Sequence, residues 1–492
     1  MNYLGVSCGF HDAALSVVDQ FGNILYAGHS ERYSKIKHDK NLNIDLLNDA
    51  LSYITDSINV HYYERPYVKA LRQLIAAQSI GPFTNKLLLG SEIYQVLNKP
   101  KIHKHNHHLC HAAAGFQTSP FNEATVVIID AIGELDTITI WNAEYNKKGV
   151  AQYKKLYNKT YPNSLGLFYS AMTELAGLKP LDEEYILMGM AAYGKPLYYK
   201  DLEKKIFYDK LNLDFSVNLH AGIDSNFLLD TNNMDIASSS QILLETCIDI
   251  VLNKAKNLGK STNLVYGGGV ALNCLANRML GKYFNNIWIM PNPGDAGNSL
   301  GAAALGYGKK LNWVNAFLGY NIKGSYPIIE LLNELLKNKI VGVANGRAEF
   351  GPRALGNRSL LADPRGSEIK NKVNEIKRRQ KFRPFAPIIL EEYVHDYFTM
   401  PINWNNSRYM QVVAECKRPD LYPAICHVDN TSRVQTVPND DSGIRKLLEI
   451  WYKKTGCPLL LNTSLNVRGE PMVNNKNDII RFQKLYNVNV LT

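Results

Sequence analysis

Along residues 2 to 30, apolar and polar positions alternate in three short runs, Tyr3 to Gly9, Ala13 to Asp19 and Asn23 to Gly28, with Gln20 to Asn23 as a turn. Such patterning, bounded by Gly, Asp and Asn, predicts strands joined as hairpins. A second unit resembles the first: Ala124 to Asp130 is a continuous apolar run, Gly133 to Asp136 is a polar connection, and Thr137 to Trp141 is another strand. A third stretch, Asn263 to Asn273, reads as a strand, a glycine turn at Gly267, Gly268 and Gly269, and a helix start. Backbone N–H groups in such a turn could cradle a nucleotide. Further on, Asn312 to Tyr326 contains Trp313, Gly319 and Gly324 and reads as a linker, Pro327 to Leu336 has helical periodicity, and Ile340 to Asn345 is strand-like.

Two strand units followed by a glycine turn is the order expected of the actin-like ATPase fold, whose two halves clamp ATP between them. The expected class is α/β, with an actin-like lobe over residues 1–320 and a second α/β lobe over 321–492. Length agrees: 492 residues are too many for one core at about 150 residues per domain. With 46% hydrophobic and 20% charged residues, the chain has enough apolar surface for sizeable cores. No apolar run reaches the ~20 residues of a membrane helix, and the first residues enter a strand pattern without a leader-like segment. Seven scattered cysteines without a CxxC pair disfavour disulfides and cysteine-only zinc sites. The expectation is a soluble, cytoplasmic protein. A net charge of +10 points to an anionic ligand, against the alternative that Lys-rich and Asn-rich usage reflects an AT-rich genome.

His107 and His111 stand four residues apart, so on a helix both reach a single ion. Asp130, closing its apolar run, or Asp295, in the turn Asn292 to Gly297, could complete an N/O set for iron, manganese or zinc. The bland alternative is histidines that only cap or pack a helix. In Gly346 to Ser359, glycines and a proline fix the backbone while Arg353 and Arg358 offer forked donors to phosphate or carboxylate oxygens. In the cluster Lys377 to Pro387, Lys377 to Arg379 read as a solvated helix face, and Lys381 and Arg383, beside two prolines, as pocket residues. Taken alone, the cluster could be a nucleic-acid patch. Arg433 could hold a phosphate, and Asn462, Ser464 and Asn466 could hydrogen-bond a planar amide or a nucleotide, although each fits turn or capping chemistry as well.

Gly9 to Ala14, Ser30 to Asp39, His107 to His111, Ser164 to Tyr169, Gly267 to Asn273, Glu349 to Ser359, Phe382 to Pro387, His427 to Gln435 and Asn462 to Glu470 together resemble the NodU/CmcH family of O-carbamoyltransferases, over nearly the whole chain. The resemblance implies an actin-like N-terminal lobe that transfers a carbamoyl group to an acceptor hydroxyl. It also implies a YrdC-like C-terminal lobe that makes carbamoyl-adenylate from carbamoyl phosphate and ATP. Arg353, Arg358, Lys381, Arg383, Arg433 and Ser464 match the activation site. His107, His111, Asp130 and Asp295 match the metal set, for Fe(II) with Mn or Zn as alternatives, and Mg would accompany ATP. His11, Lys37, the Gly267 to Gly269 turn and Asn273 match the nucleotide and carbamoyl surroundings, with His11 as the group that takes the acceptor's proton. Two departures stand out: Ser30 where a second acidic residue is usual, and Leu465 where an aromatic is usual.

The acceptor is the least transferable part. A small metabolite or sugar is the first expectation, hydroxymethylcytosine in DNA the second, and a non-catalytic ATP- or DNA-binding module the third. No membrane partner is expected, and a homodimer is compatible with the fold.

Overall fold

The computed structural model describes residues 1–75, 91–98, 100–224, 226–228 and 231–492. The first half of the chain builds one sheet pattern twice. In the first sheet the strands lie in the order Ile24–His29, Ala14–Val18, Asn2–Ser7, Ile58–Tyr62, Ile102–Lys104, the first three antiparallel and the last two added in parallel. In the second sheet Ala151–Thr160, Asp136–Tyr145, Glu123–Gly133, Asn263–Gly267 and Asn286–Trp288 repeat that order and those directions. This duplicated meander with two parallel additions is the actin-like fold. The central strands are covered on both faces, hence their unbroken apolar runs. Ala151–Thr160 lies at an edge and alternates exposed and half-buried positions, with lysines that discourage further pairing.

Each sheet's fifth strand leads into a helix, His107–Thr118 after the first and Asn298–Tyr307 after the second, and the two helices pack together between the sheets. Small residues let them approach. A Cβ on Gly301 would stand 2.0 Å from the Cys110 carbonyl oxygen, and one on Gly5 would stand 1.8 Å from that of Ser299.

The C-terminal lobe is a six-stranded mixed sheet in the order Gln435–Val437, Ala386–Leu390, Leu459–Ser464, Arg358–Ala362, Ile340–Ala344, Val490–Leu491. The segment expected to be a linker holds a strand, Phe317–Ile322, which pairs antiparallel with Gly346–Glu349. Its glycine and tryptophan suggested a loop, but Leu318 and Ile322 are buried and give the run its strand character. Among the described residues no helix is long and apolar enough to cross a membrane, and all seven cysteines are buried.

Candidate functional site

Asn106 caps the helix His107–Thr118 by accepting the Leu109 N–H at 2.9 Å, which fixes where the first turn begins. That turn begins with His107 and places His111 one turn further along the same face, so that their Nε2 atoms lie 3.1 Å apart. Asp130, from the first strand of the second sheet, brings Oδ2 to 3.3 Å of His107 Nε2 and 3.8 Å of His111 Nε2. Asp295, just before the partner helix, brings Oδ1 to 3.3 Å and 3.4 Å of the same atoms. Atoms that share one ion at about 2.1 Å stand a little over 3 Å apart, so this buried two-nitrogen, two-oxygen set fits a divalent cation.

The second oxygen of Asp130 accepts the Gly269 N–H at 2.9 Å. Such an outer contact orients a ligand. Without an ion, two buried carboxylates demand compensation. Burial would lower the His107 and His111 pKa values, but Asp130 and Asp295 overcome it and hold both above the ordinary histidine range.

His11 borders this cluster, with Nε2 3.6 Å from Asp295 Oδ2 and Nδ1 2.9 Å from Asp12 Oδ2. Burial opposes its protonation, yet the two carboxylates push its pKa up to about 9. Asp12 Oδ1 is in turn 2.7 Å from His38 Nδ1, and His38 Nε2 is 3.2 Å from Asp182 Oδ1. Lys37 pairs with the same Asp182.

A cavity of about 450 Å³ runs from His11 into the second lobe, where Arg353, Lys377, Arg379, Arg383 and Arg433 line its far end. None of the five forms an ion pair among the described residues. Burial pushes the Arg353 pKa down to about 9, and Arg433 adds to the effect. Burial, together with Arg379 and Arg383, holds Lys377 well below the usual lysine range. Arg379 lies 4.0 Å over the Phe385 ring and Arg383 4.7 Å over that of Tyr185. A buried group of cations with no carboxylate to balance it is a receptor for a polyanion.

Among the residues singled out from sequence, His11, Lys37, Asp130, Gly269, Asn273 and Asp295 reach the cavity from the first lobe. Arg353, Arg383, Arg433, Asn462, Ser464 and Asn466 reach it from the second. Gly267 and Gly268 do not line it. The N–H groups of Gly268 and Gly269 are already used, on the Pro293 carbonyl and on Asp130, so the turn shapes the wall and holds a ligand residue in place of cradling phosphates.

Arg358 is fully buried. Its guanidinium is spent on the carbonyls of Tyr320, Asn345, Gly346, Asn357 and Asn474, which makes it a brace for the loop that carries Arg353. Lys381 stands outside with a side chain 72% exposed, 4.0 Å from Glu375. Lys377 takes the inward place, its Nζ 3.0 Å from Ser464 Oγ and 2.6 Å from Asn466 Oδ1.

The reading of Lys377 to Arg379 as a solvated helix face is thus corrected for Lys377 and Arg379, while Arg378 is exposed. The helix Glu368–Ile376 stops one residue earlier, and the chain turns Lys377 and Arg379 inward. Asp12, His38 and Asp182 were also missed. The K-x-R spacing occurs twice, at Lys377/Arg379 and at Lys381/Arg383, and could have kept both pairs in view.

Residues 2–304 match the family model for the carbamoyltransferase N-terminus, and residues 332–492 that for the carbamoyltransferase C-terminus. An uncharacterised protein of Synechocystis is 32% identical over 97% of this chain and 93% of its own length. Nodulation protein NolNO of Sinorhizobium fredii is 31% identical over 96% of this chain and 76% of its own length. Nodulation protein NolO of Bradyrhizobium diazoefficiens is 33% identical over 76% and 75%. Among solved structures, an activator of 2-hydroxyisocaproyl-CoA dehydratase from Clostridium difficile aligns with 62% of this chain and 94% of its own, at 12% identity and a TM-score of 0.37.

Proposed function

Because this chain belongs to the carbamoyltransferase family, we propose that it is an ATP-dependent O-carbamoyltransferase. It joins the carbamoyl group of carbamoyl phosphate to AMP and then passes it to the hydroxyl of a small acceptor. The observation that carries this reading is a cavity with cations free of ion pairs at one end and, at the other, His11 with Asp130 and Asp295, the two aspartates of the two-histidine, two-aspartate cluster.

Arg353, Lys377, Arg379, Arg383 and Arg433 hold the phosphate groups of both substrates and offset the charge that builds on the departing phosphates. Water cleaves carbamoyl phosphate to carbamate and inorganic phosphate. The carbamate oxygen then attacks the α-phosphorus of ATP, and pyrophosphate leaves. At the other end the acceptor oxygen bonds to the carbamoyl carbon, the bond to the AMP oxygen breaks, and AMP departs with the electron pair. His11, on the cavity wall, takes the acceptor's proton. His107, His111, Asp130 and Asp295 would hold the divalent cation, Fe(II) or else Mn or Zn. When bound, it supplies Lewis-acid polarisation and offsets the aspartate charge that keeps His11 protonated.

The inward turn of Lys377, Arg379 and Arg383 favours a small acceptor over DNA, since duplex binding needs basic side chains on the surface. The test is pyrophosphate release dependent on ATP and carbamoyl phosphate. Wild type should release it and Arg353→Ala should lose at least a hundredfold. Release without carbamoyl phosphate, or an Arg353→Ala enzyme as fast as wild type, would overturn the reading.

A further inference from the structure

Asp12 has one oxygen for each of two imidazoles, Oδ2 2.9 Å from His11 Nδ1 and Oδ1 2.7 Å from His38 Nδ1. An ionised carboxylate only accepts, so both ring nitrogens must carry hydrogen. The two rings differ at their other nitrogen. His38 Nε2 is 3.2 Å from Asp182 Oδ1, within hydrogen-bond distance, so it too must donate. His11 Nε2 stands 3.6 Å from Asp295 Oδ2, beyond that distance. Geometry therefore makes His38 a donor at both nitrogens and leaves His11 Nε2 open beside the cavity.

We propose that Asp12 and His38 are positioning residues for carbamoyl transfer. Asp12 fixes His11 as the tautomer with hydrogen on Nδ1, and His38, held between Asp12 and Asp182, fixes Asp12 in that position. The proposal rests on the reading of His11 as the group that takes the acceptor's proton. That proton lands on Nε2, the nitrogen Asp12 leaves bare, as the new carbon–oxygen bond forms and AMP leaves.

The charged groups around His38 suit this role. Asp12, Asp182 and Glu31 face it with negative charge, and Lys37 shares Asp182 with it. Asp12 and Asp182 outweigh burial and push the His38 pKa up to about 10. No single-oxygen replacement can repeat the arrangement. An asparagine at position 12 presents one oxygen and one NH₂, so one of the two rings must lose its Nδ1 hydrogen.

The test is ¹⁵N spectroscopy of histidine-labelled protein loaded with Zn(II), a diamagnetic ion, with His11→Gln and His38→Gln as assignment controls. His38 should show two protonated nitrogens through pH 8, and His11 a protonated Nδ1. In Asp12→Asn one of these patterns should be lost. Cooperative thermal melting of both Asp12→Asn and His38→Gln reports that they fold. A neutral His38 at pH 7 or an unchanged pair of ring patterns in Asp12→Asn would overturn the proposal. Wild type that releases no pyrophosphate would overturn the functional reading instead and leave the ring patterns to be judged alone.

Discussion

Replacing Lys377 with Met separates two lysines that the sequence ranks in the opposite order. Lys377 is buried at 4% exposure and gives hydrogen bonds to Ser464 and Asn466, while the Lys381 side chain is 72% exposed. A unit charge about 4 Å from a phosphate oxygen at an effective dielectric of 20 contributes about 4 kcal/mol. One charge-assisted hydrogen bond contributes about 1.5–3 kcal/mol. At about 1.4 kcal/mol per tenfold, kcat/KM for pyrophosphate release should fall on the order of a hundred- to a thousandfold.

Stability should move far less. Methionine leaves three acceptors without Lys377, at about 1 kcal/mol each, but relieves a buried cation beside Arg379 and Arg383. A net change within about 2 kcal/mol in denaturant unfolding is expected from these opposing effects. Lys381→Met, removing an exposed lysine, should keep release within twofold. A Lys377→Met enzyme that loses less than tenfold, or a Lys381→Met enzyme that loses as much as Lys377→Met, would refute the assignment.

Glu349 Oε1 accepts the N–H groups of Leu355, Asn357 and Arg358, so Glu349→Gln should loosen the loop that carries Arg353 and raise KM for carbamoyl phosphate and ATP several-fold, measured by initial rates. Asp295→Asn and His111→Ala should each lower bound metal, by elemental analysis, from about one ion per chain to well below half. Burial, aided for His61 by His105 and His103 and for His29 by Arg32, pushes the His61 pKa down to about 3 and the His29 pKa down to about 4. Each stays neutral in the fold but gains a proton in the unfolded chain below about pH 6.5. Their contribution is therefore full above that pH and is lost as pH falls toward 4, up to about 3 kcal/mol apiece. Melting curves should show this loss, and His61→Gln should flatten it. Duplex DNA, titrated in low salt, should bind weakly and without the steep salt dependence of a phosphate-reading surface.

The His107/His111 pair at helical spacing was legible because its signal is local, with Asp130 or Asp295 as the candidate carboxylate, and the fold brings all four side chains together. The actin-like order of strands was legible for the same reason. What failed depends on direction. Arg353 and Arg358 share one motif, but Arg358 begins a buried strand and spends its donors on carbonyls, while Arg353 stays in the loop and faces the cavity. Lys381, beside two prolines, looks the better pocket residue until the helix is seen to end at Ile376, after which the chain turns Lys377 inward. The network of Asp12, His38 and Asp182 joins residues far apart in sequence, and no spacing announces it. The strand Phe317–Ile322 was hidden by its glycine, since only its partner Gly346–Glu349 makes it a strand.

The four ligand residues come from both copies of the repeated sheet: the histidines follow the last strand of one, Asp130 closes the first strand of the other, and Asp295 follows the last strand of that same copy. Neither copy owns a complete site. A cation held there would act as a rivet across the seam between the two halves, and a fragment bearing either half alone, however well folded, would hold only half of the grip.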